Sequence, residues 1–209
     1  MSNRPAVPYL WWLTPSQEPR LLSALPCSLD HPVLATRHLR LRKMSTSDIV
    51  ILQSLWARGS QHTAPYQRVS NSEDVAIQAS ASLRLNDSSV HWAVCRLDSD
   101  DLLGYVCLQD IDLEHSQAEL RFWMEPGPGW VQRAVEAGQA VLAYAFGSLS
   151  LVALHAFSAC GHLSAYDALM GIGMRPLESN SGARKSWECC PEVQVWNVAR
   201  HRWMRSIRM

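Results

Sequence analysis

The stretch from Ala118 to Phe146 most constrains what this chain can fold into. A-E-L-R-F-W-M, Ala118 to Met124, alternates: Ala118, Leu120, Phe122 and Met124 share one side, and Glu119, Arg121 and Trp123 the other. That is the period of a strand. Pro126, Gly127, Pro128 and Gly129 then break it. Beyond them Val131, Ala134, Val135, Gly138, Val141, Leu142, Ala145 and Phe146 recur at helical spacing, which predicts a long helix from near Val131 to about Leu149. A strand that turns abruptly into a helix points to a layered α/β protein.

The flanking segments extend this pattern. H-W-A-V-C-R-L (His91 to Leu97) and L-L-G-Y-V-C-L (Leu102 to Leu108) read as two more strands, with the turn at Asp98 to Asp101. The polar residues Asp110 to Ser116 read as a further turn. Upstream, Leu39 and Leu41 alternate with Arg40 and Arg42 in T-R-H-L-R-L-R-K, a half-buried strand. Ser45 to Asp48 offer N-caps for a helix whose apolar face is Ile49, Ile51, Leu52 and Leu55. A second helix is expected over Ser72 to Leu85. Downstream come a buried strand (Leu151 to Phe157), a short helix (Leu163 to Met170) ended by Gly171 and Gly173, and a closing hairpin that includes Glu192 to Val198. Three antiparallel strands joined to a strand–helix–strand unit give a mixed α/β (α+β) fold. Its centre is a twisted sheet of about seven strands with helices on both faces.

Residues 1–35 differ in character. Six prolines (Pro5, Pro8, Pro15, Pro19, Pro26 and Pro32) forbid a long helix or central strand, while Tyr9, Trp11, Trp12, Leu21 and Leu22 give the segment apolar surface. It reads as an extended arm packed on a domain that spans 36–209. The apolar run Val7 to Leu13 is too short for a signal sequence and holds Pro8, and Pro26 precedes Cys27 where a small residue is needed.

Charge and cysteine content narrow the class. Nineteen Lys and Arg balance nineteen Asp and Glu, so no nucleic-acid or membrane partner is expected. Arg200, His201, Arg202, Arg205 and Arg208 crowd the C-terminus and read as a solvated last strand and tail. The six cysteines form no C-x-x-C pair. Cys95, Cys107 and Cys160 sit in apolar runs and Cys189 adjoins Cys190, which suits a reducing, cytoplasmic setting. The eight histidines show no metal-ligand spacing, so no metal is expected.

Several of these segments together resemble the GNAT acetyltransferases, in particular the branch that acetylates the N-terminal serine or alanine of ribosomal proteins. T-R-H-L-R-L-R-K resembles that branch's T-x-R-L-x-L-R, and A-E-L-R-F-W-M-E-P its A-E-L-G-Y-W-L-x-P strand. E-A-G-Q-A-V-L-A-Y-A-F (Glu136 to Phe146) resembles its E-A-L-x-A-L-L-x-Y-A-F helix, and Y-D-A-L-M-G-I-G-M (Tyr166 to Met174) its R-V-L-E-K-I-G-F. The resemblance covers roughly Thr36 to Leu177. It implies a GNAT-like fold and an acyl-coenzyme A donor, acetyl-CoA above all. The pyrophosphate would meet backbone N–H groups at the start of the long helix, and the pantetheine arm would lie between two splayed strands.

Two departures bear on the site. The family's loop reads G-x-G-x-x-x-E-A, but alignment on Glu136 and Ala137 puts Trp130, Val131 and Gln132 where G-x-G belongs, with one residue fewer after Pro126. Trp130 at a glycine position would crowd the pyrophosphate. Alternatively Trp130 and its neighbours Val131, Gln132, Arg133 and Ala134 form an unusual pyrophosphate loop, with N–H groups and the Arg133 guanidinium to serve it. In the later strand-to-helix turn, His162 and Ala165 replace the family's Asn and Ser or Ala, and the tyrosine acid of many relatives falls at Leu169. The resemblance therefore implies Glu119 as the base, Tyr166 or His162 as the acid, and backbone contacts from Trp123 and Met124 to pantetheine. His162 would also touch the coenzyme. Each residue has a plainer reading: Glu119 in an ion pair with Arg121, Tyr166 in ordinary packing, His162 merely exposed, and G-P-G-W a simple helix cap.

The expected activity is acyl transfer from acetyl-CoA to the amine of a small molecule or peptide. The alternatives are a GNAT-like binding module without catalysis and a GNAT scaffold fed by a carrier-protein thioester. Many related folds pair through sheet edges, so a homodimer is one assembly open to this chain, and the sequence does not fix the oligomeric state.

Overall fold

A computed structural model describes residues 31–59, 88–159, 163–177 and 193–206. The helix expected over Ser72 to Leu85, most of the proline-rich arm, His162, Cys160 and the Cys189–Cys190 pair lie outside the described residues.

The elements run β1 (Leu34–Ala35), β2 (Leu39–Lys43), α1 (Thr46–Gly59), β3 (Val90–Arg96), β4 (Leu102–Asp112), β5 (Gln117–Met124), α2 (Trp130–Gly147), β6 (Ala153–Ala159), α3 (Leu163–Ile172), β7 (Arg175–Pro176), β8 (Val193–Ala199) and α4 (Arg200–Ser206). The strands form one sheet in the order β1-β2-β3-β4-β5-β6-β8-β7. Among the described strands only β5 and β6 pair in parallel, through the crossover helix α2. The other neighbours are antiparallel. Leu34 and Ala35, at the end of the proline-rich segment, already belong to the sheet, and the Trp92 indole donates to the Pro32 carbonyl at 2.9 Å.

The alternation read from the sequence decides which helix covers which face. Leu39, Leu41, Trp92, Val94, Val106, Leu108, Leu120, Leu154 and Trp196 bury against α2 and α3. Trp92 meets Tyr144 of α2 edge-on at 5.4 Å. Tyr105, Cys107 and Trp123 point the other way and pack under Met44, Ile49 and Leu52 at the start of α1. Helices thus lie on both faces, as the pattern predicts. Cys95 and Cys107 are buried, and burial pushes their thiols up to about 11 and about 12.

The N-terminus of α1 is a capping box. The Ser45 N–H and hydroxyl donate to Asp48 Oδ2 at 2.7 and 2.6 Å, and the Asp48 N–H reaches back to Ser45 Oγ at 3.4 Å. Arg42 forks onto the same carboxylate at 2.7 and 2.9 Å, joining helix to strand.

Two expectations are corrected. The polar stretch from Asp110 does not start a turn: β4 runs on to Asp112, because Ile111 is buried and a bulge at Asp110 (φ 51°) absorbs the misfit. The basic residues Arg200 to Arg205 do not belong to a strand; Arg208 lies outside the described residues. They form α4, anchored by Trp203, whose ring lies 5.5 Å from that of Phe146, while Arg200, Arg202 and Arg205 stay exposed.

Candidate active site

The parallel ladder between β5 and β6 is short. It pairs Gln117 with Ala153, Ala118 with Leu154 and Glu119 with His155, and there it ends. Yet β5 continues to Met124 and β6 to Ala159. The two strands therefore part in the middle of the sheet and leave a wedge-shaped gap. The Glu125 N–H donates to the Leu103 carbonyl at 2.7 Å, which sets the phase of the β4–β5 ladder. Odd residues of β5 turn their main chain to β4. Even residues turn theirs to β6, as the Ser116 carbonyl does in accepting from Val152 at 2.7 Å. The N–H and C=O groups of Phe122 and Met124 thus face the gap, with no described strand to pair them. The main chain of Met124, which the resemblance assigns to pantetheine, is one of those facing the gap. The Trp123 backbone faces β4 instead, and its carbonyl would lie 2.2 Å from a Cβ on Gly104. Phe122 takes the position expected of Trp123.

At the open end of the gap, Pro126 to Gly129 carry the chain into α2. Gly127 and Gly129 both adopt positive φ (148° and 76°), and Gly129 caps the helix without a side-chain hydrogen bond. The Trp130 N–H donates to the Gly127 carbonyl at 3.2 Å, and that of Arg133 to Gly129 at 3.1 Å. The N–H groups of Val131 and Gln132, the next two, have no partner among the described residues, as a helix start leaves them. The Trp130 side chain packs partly buried against the core. Arg133 bends back: its guanidinium donates to the Pro128 and Glu125 carbonyls at 2.8 and 3.3 Å, with Nε buried and unpartnered. Burial, with Arg96 nearby, lowers its proton affinity. Ala134 is wholly buried, and its N–H lies in the helix ladder. Glu136 accepts from the His38 N–H at 2.8 Å and pins α2 to the start of β2.

Glu119 stands at the closed end of the gap, on the α1 side. It is 9% exposed, and Arg121 clamps it through two bonds, of 2.5 and 3.0 Å. Burial pushes the Glu119 carboxyl up, against the pull of Arg121. Beside it lies His155, whose Nε2 is 3.3 Å from Gln117 Oε1 and whose Nδ1 is 3.4 Å from Asn197 Nδ2. An Nε2–H tautomer satisfies both. Tyr166 of α3 is 44% exposed, with its ring edge-on to Trp196 at 4.9 Å. Leu169 is buried.

A sheet with one forked parallel pair, the fork running out toward a helix start, has the layout that the resemblance implies. The family profile of the acetyltransferase (GNAT) domain matches residues 38–175, more than half of the chain. The chain belongs to the GNAT acetyltransferase family. Solved structures agree on the fold. An acetyltransferase (GNAT family) from Bacillus anthracis superposes with a TM-score of 0.61 at 17% identity, covering 81% of this chain and 99% of its own. A candidate ribosomal-protein-serine acetyltransferase from Vibrio cholerae gives 0.60 at 16% identity, covering 80% and 97%. Spermidine N-acetyltransferase from Vibrio cholerae, solved with CoA and spermine, gives 0.59 at 17% identity, covering 81% and 99%. No curated protein sequence matches the chain.

GNAT acetyltransferases draw the acetyl group from acetyl-CoA. This GNAT domain offers two features that fit such a molecule: unpaired main chain along the gap, and two unpartnered N–H groups at the helix start. No group of residues among those described has the makings of a metal site, and no described helix is long and apolar enough to cross a membrane. Sequence reasoning missed Gln109, His91 and His155, which share the face of Glu119, and Asp110, which sits in the bulge beside Gln109. Register lines up Gln109, His155 and, through Cys107, His91 with Glu119 or Arg121; neither the register nor the bulge can be read from one strand's alternation.

Proposed function

We propose that this protein is an acetyl-CoA-dependent N-acetyltransferase that transfers the acetyl group directly to the amine of a small molecule or peptide. The observation that carries this reading is the fork between β5 and β6, which opens one residue beyond Glu119. An extended amide-bearing arm can lie in it as a third strand, bonded to the main chain of Phe122 and Met124. Val131 and Gln132 donate to the pyrophosphate, where the helix dipole favours negative charge. Arg133 holds the loop carbonyls in place rather than reaching outward. Glu119, with Arg121 beside it, takes the amine proton, directly or through water, and Tyr166 or His162 protonates the departing thiolate. The spermidine acetyltransferase among the structural neighbours acts on a small amine, in keeping with this acceptor class.

A second reading, a GNAT-like binding module without turnover, draws on the two arginine clamps, since both Glu119 and Arg133 are committed to partners inside the protein. Calorimetric titration with acetyl-CoA separates the two. Micromolar binding followed by thiol release in the presence of amines supports the enzyme. Absence of binding sinks it and leaves the module, or a donor carried by another protein.

A further inference from the structure

Helix α2 changes character half-way along. Its first turns carry Arg133 and Glu136, but Ala137 to Gly147 (A-G-Q-A-V-L-A-Y-A-F-G) hold no Asp, Glu, Lys or Arg. On the side turned away from the sheet, Gln139, Ala143 and Gly147 are exposed and Ala140 is half-buried. A helix with one face in water normally carries charge there, and one that is apolar all round is covered. The same surface runs into a crevice of about 290 Å³ between α2, the end of α3, β7 and α4. Gln139, Met170, Gly173 and the Trp203 ring line it, with the exposed Arg175 beside them. It is at the small end for the pocket of a free ligand, but it has room for an aromatic ring.

The stretches outside the described residues differ in their fitness to cover this face. Residues 60–87 follow α1, which packs on the opposite side of the sheet. Residues 178–192 join β7 to β8 at the sheet's far edge and include Glu178, Arg184, Lys185, Glu188 and Glu192. Residues 160–162 and 207–209 are too short to cross a helix and fill a crevice. The N-terminal arm is the exception. It enters the fold at Pro32, whose carbonyl accepts from the Trp92 indole at 2.9 Å, and Trp92 meets Tyr144 of α2 edge-on at 5.4 Å. The entry therefore lies beside the uncharged half of α2. Within the arm, Val7 to Leu13 (V-P-Y-L-W-W-L) hold no charge either, and Pro8 keeps them out of a long helix. Residues 14–31 separate Leu13 from Pro32, a reach of up to about 60 Å against a helix diameter of about 10 Å.

We propose that Val7 to Leu13 lies across the outer face of α2 and seats one of its tryptophans in the crevice, against Met170 and Trp203. Uncharged side chains then meet an uncharged helix face. An extended proline–aromatic strip needs no partner strand to dock on such a surface. A thioether and a second ring suit an indole. Arg4, Glu18 and Arg20 flank the strip and are left in water. The contact belongs to this chain alone and is independent of how the GNAT domain uses its gap.

A double-mutant cycle in the full-length protein tests this, read as urea midpoints and as tryptic cleavage. Ala143→Glu puts a charge in the middle of the outer face, and Trp11→Ala/Trp12→Ala strips the arm. On an uncovered helix surface Ala143→Glu is close to neutral. On a covered one, each change lowers the midpoint by about 0.5 M, and the two together lower it no further than the larger of them alone. Met170→Gln in the crevice should couple to the arm variant in the same way. Ala143→Glu should also speed cleavage after Arg20 by roughly fivefold or more while cleavage after Arg184 keeps its rate. Additive midpoints, or an unaltered rate at Arg20, overturn the proposal. Coupling that fades on dilution, with dimers in sedimentation that Ala143→Glu splits, overturns it too and gives the face to a second copy of the chain.

Discussion

Glu119 and Arg121 work as a unit, and their variants should separate chemistry from structure. Glu119→Gln keeps the shape and removes the proposed base, so steady-state assays should show kcat falling at least tenfold with little change in acetyl-CoA affinity. Unchanged turnover would end that role. A second residue-scale prediction concerns His91. Its imidazole is pushed down from 6.5 to about 4 by burial first, then by His31 and Arg121. Between those two values the unfolded chain binds the proton and the folded one does not. Stability therefore falls as pH drops from about 6.5 toward 4 and levels off below, by roughly 3 kcal/mol in all. The raised carboxyls of Glu119 and Asp110 titrate with the opposite sign, so the measurement is a comparison. Urea midpoints of wild type and His91→Gln from about pH 7 to about pH 4.5 should diverge in slope, and parallel curves would refute the assignment. At this scale the sequence was only partly legible. The alternation in A-E-L-R-F-W-M placed Glu119 and Arg121 side by side. It could not show that the Trp123 main chain turns away from the gap, because hydrogen-bond phase depends on the neighbouring strand rather than on side-chain period.

At the scale of elements, the contact between α2 and α3 depends on glycine. A Cβ on Gly138 would lie 2.5 Å from Ile172 Cδ1, and one on Gly171 2.6 Å from Val135 Cγ2. Each helix offers the other a notch. Gly138→Ala should cost about 1–3 kcal/mol through overpacking. The double variant Gly138→Ala/Ile172→Ala should be less destabilised than the sum of the singles, read from urea denaturation as a coupling term. Simple additivity would show that the helices move apart freely. Helices were legible wherever apolar spacing was regular, and the capping signal at Ser45 to Asp48 placed the start of α1 closely. The Asp110 stretch misled for a physical reason. Acidic residues usually mark turns, but here one buried isoleucine holds the strand together and the bulge accommodates the acid beside it.

At the scale of the molecule, α4 lies beyond the residues that match the family, yet it is tied to the core. Trp203 packs on Phe146 of α2, so Trp203→Ala should lower stability by roughly 2 kcal/mol, less than a fully buried tryptophan would. A thermal midpoint unmoved by this change would mean that the helix contributes nothing to the body of the domain. The fork has a mechanical consequence. Strands β1 to β5 form one plate and β6, β8 and β7 another, and the described ladder seams them only along three residue pairs at one end. The helices α2 and α3 bind both plates into one core, so the gap is held open at a fixed width rather than left to find one. A gap of that kind, one strand wide and closed at one end, selects by cross-section: it has room for a slender chain and none for a bulky one.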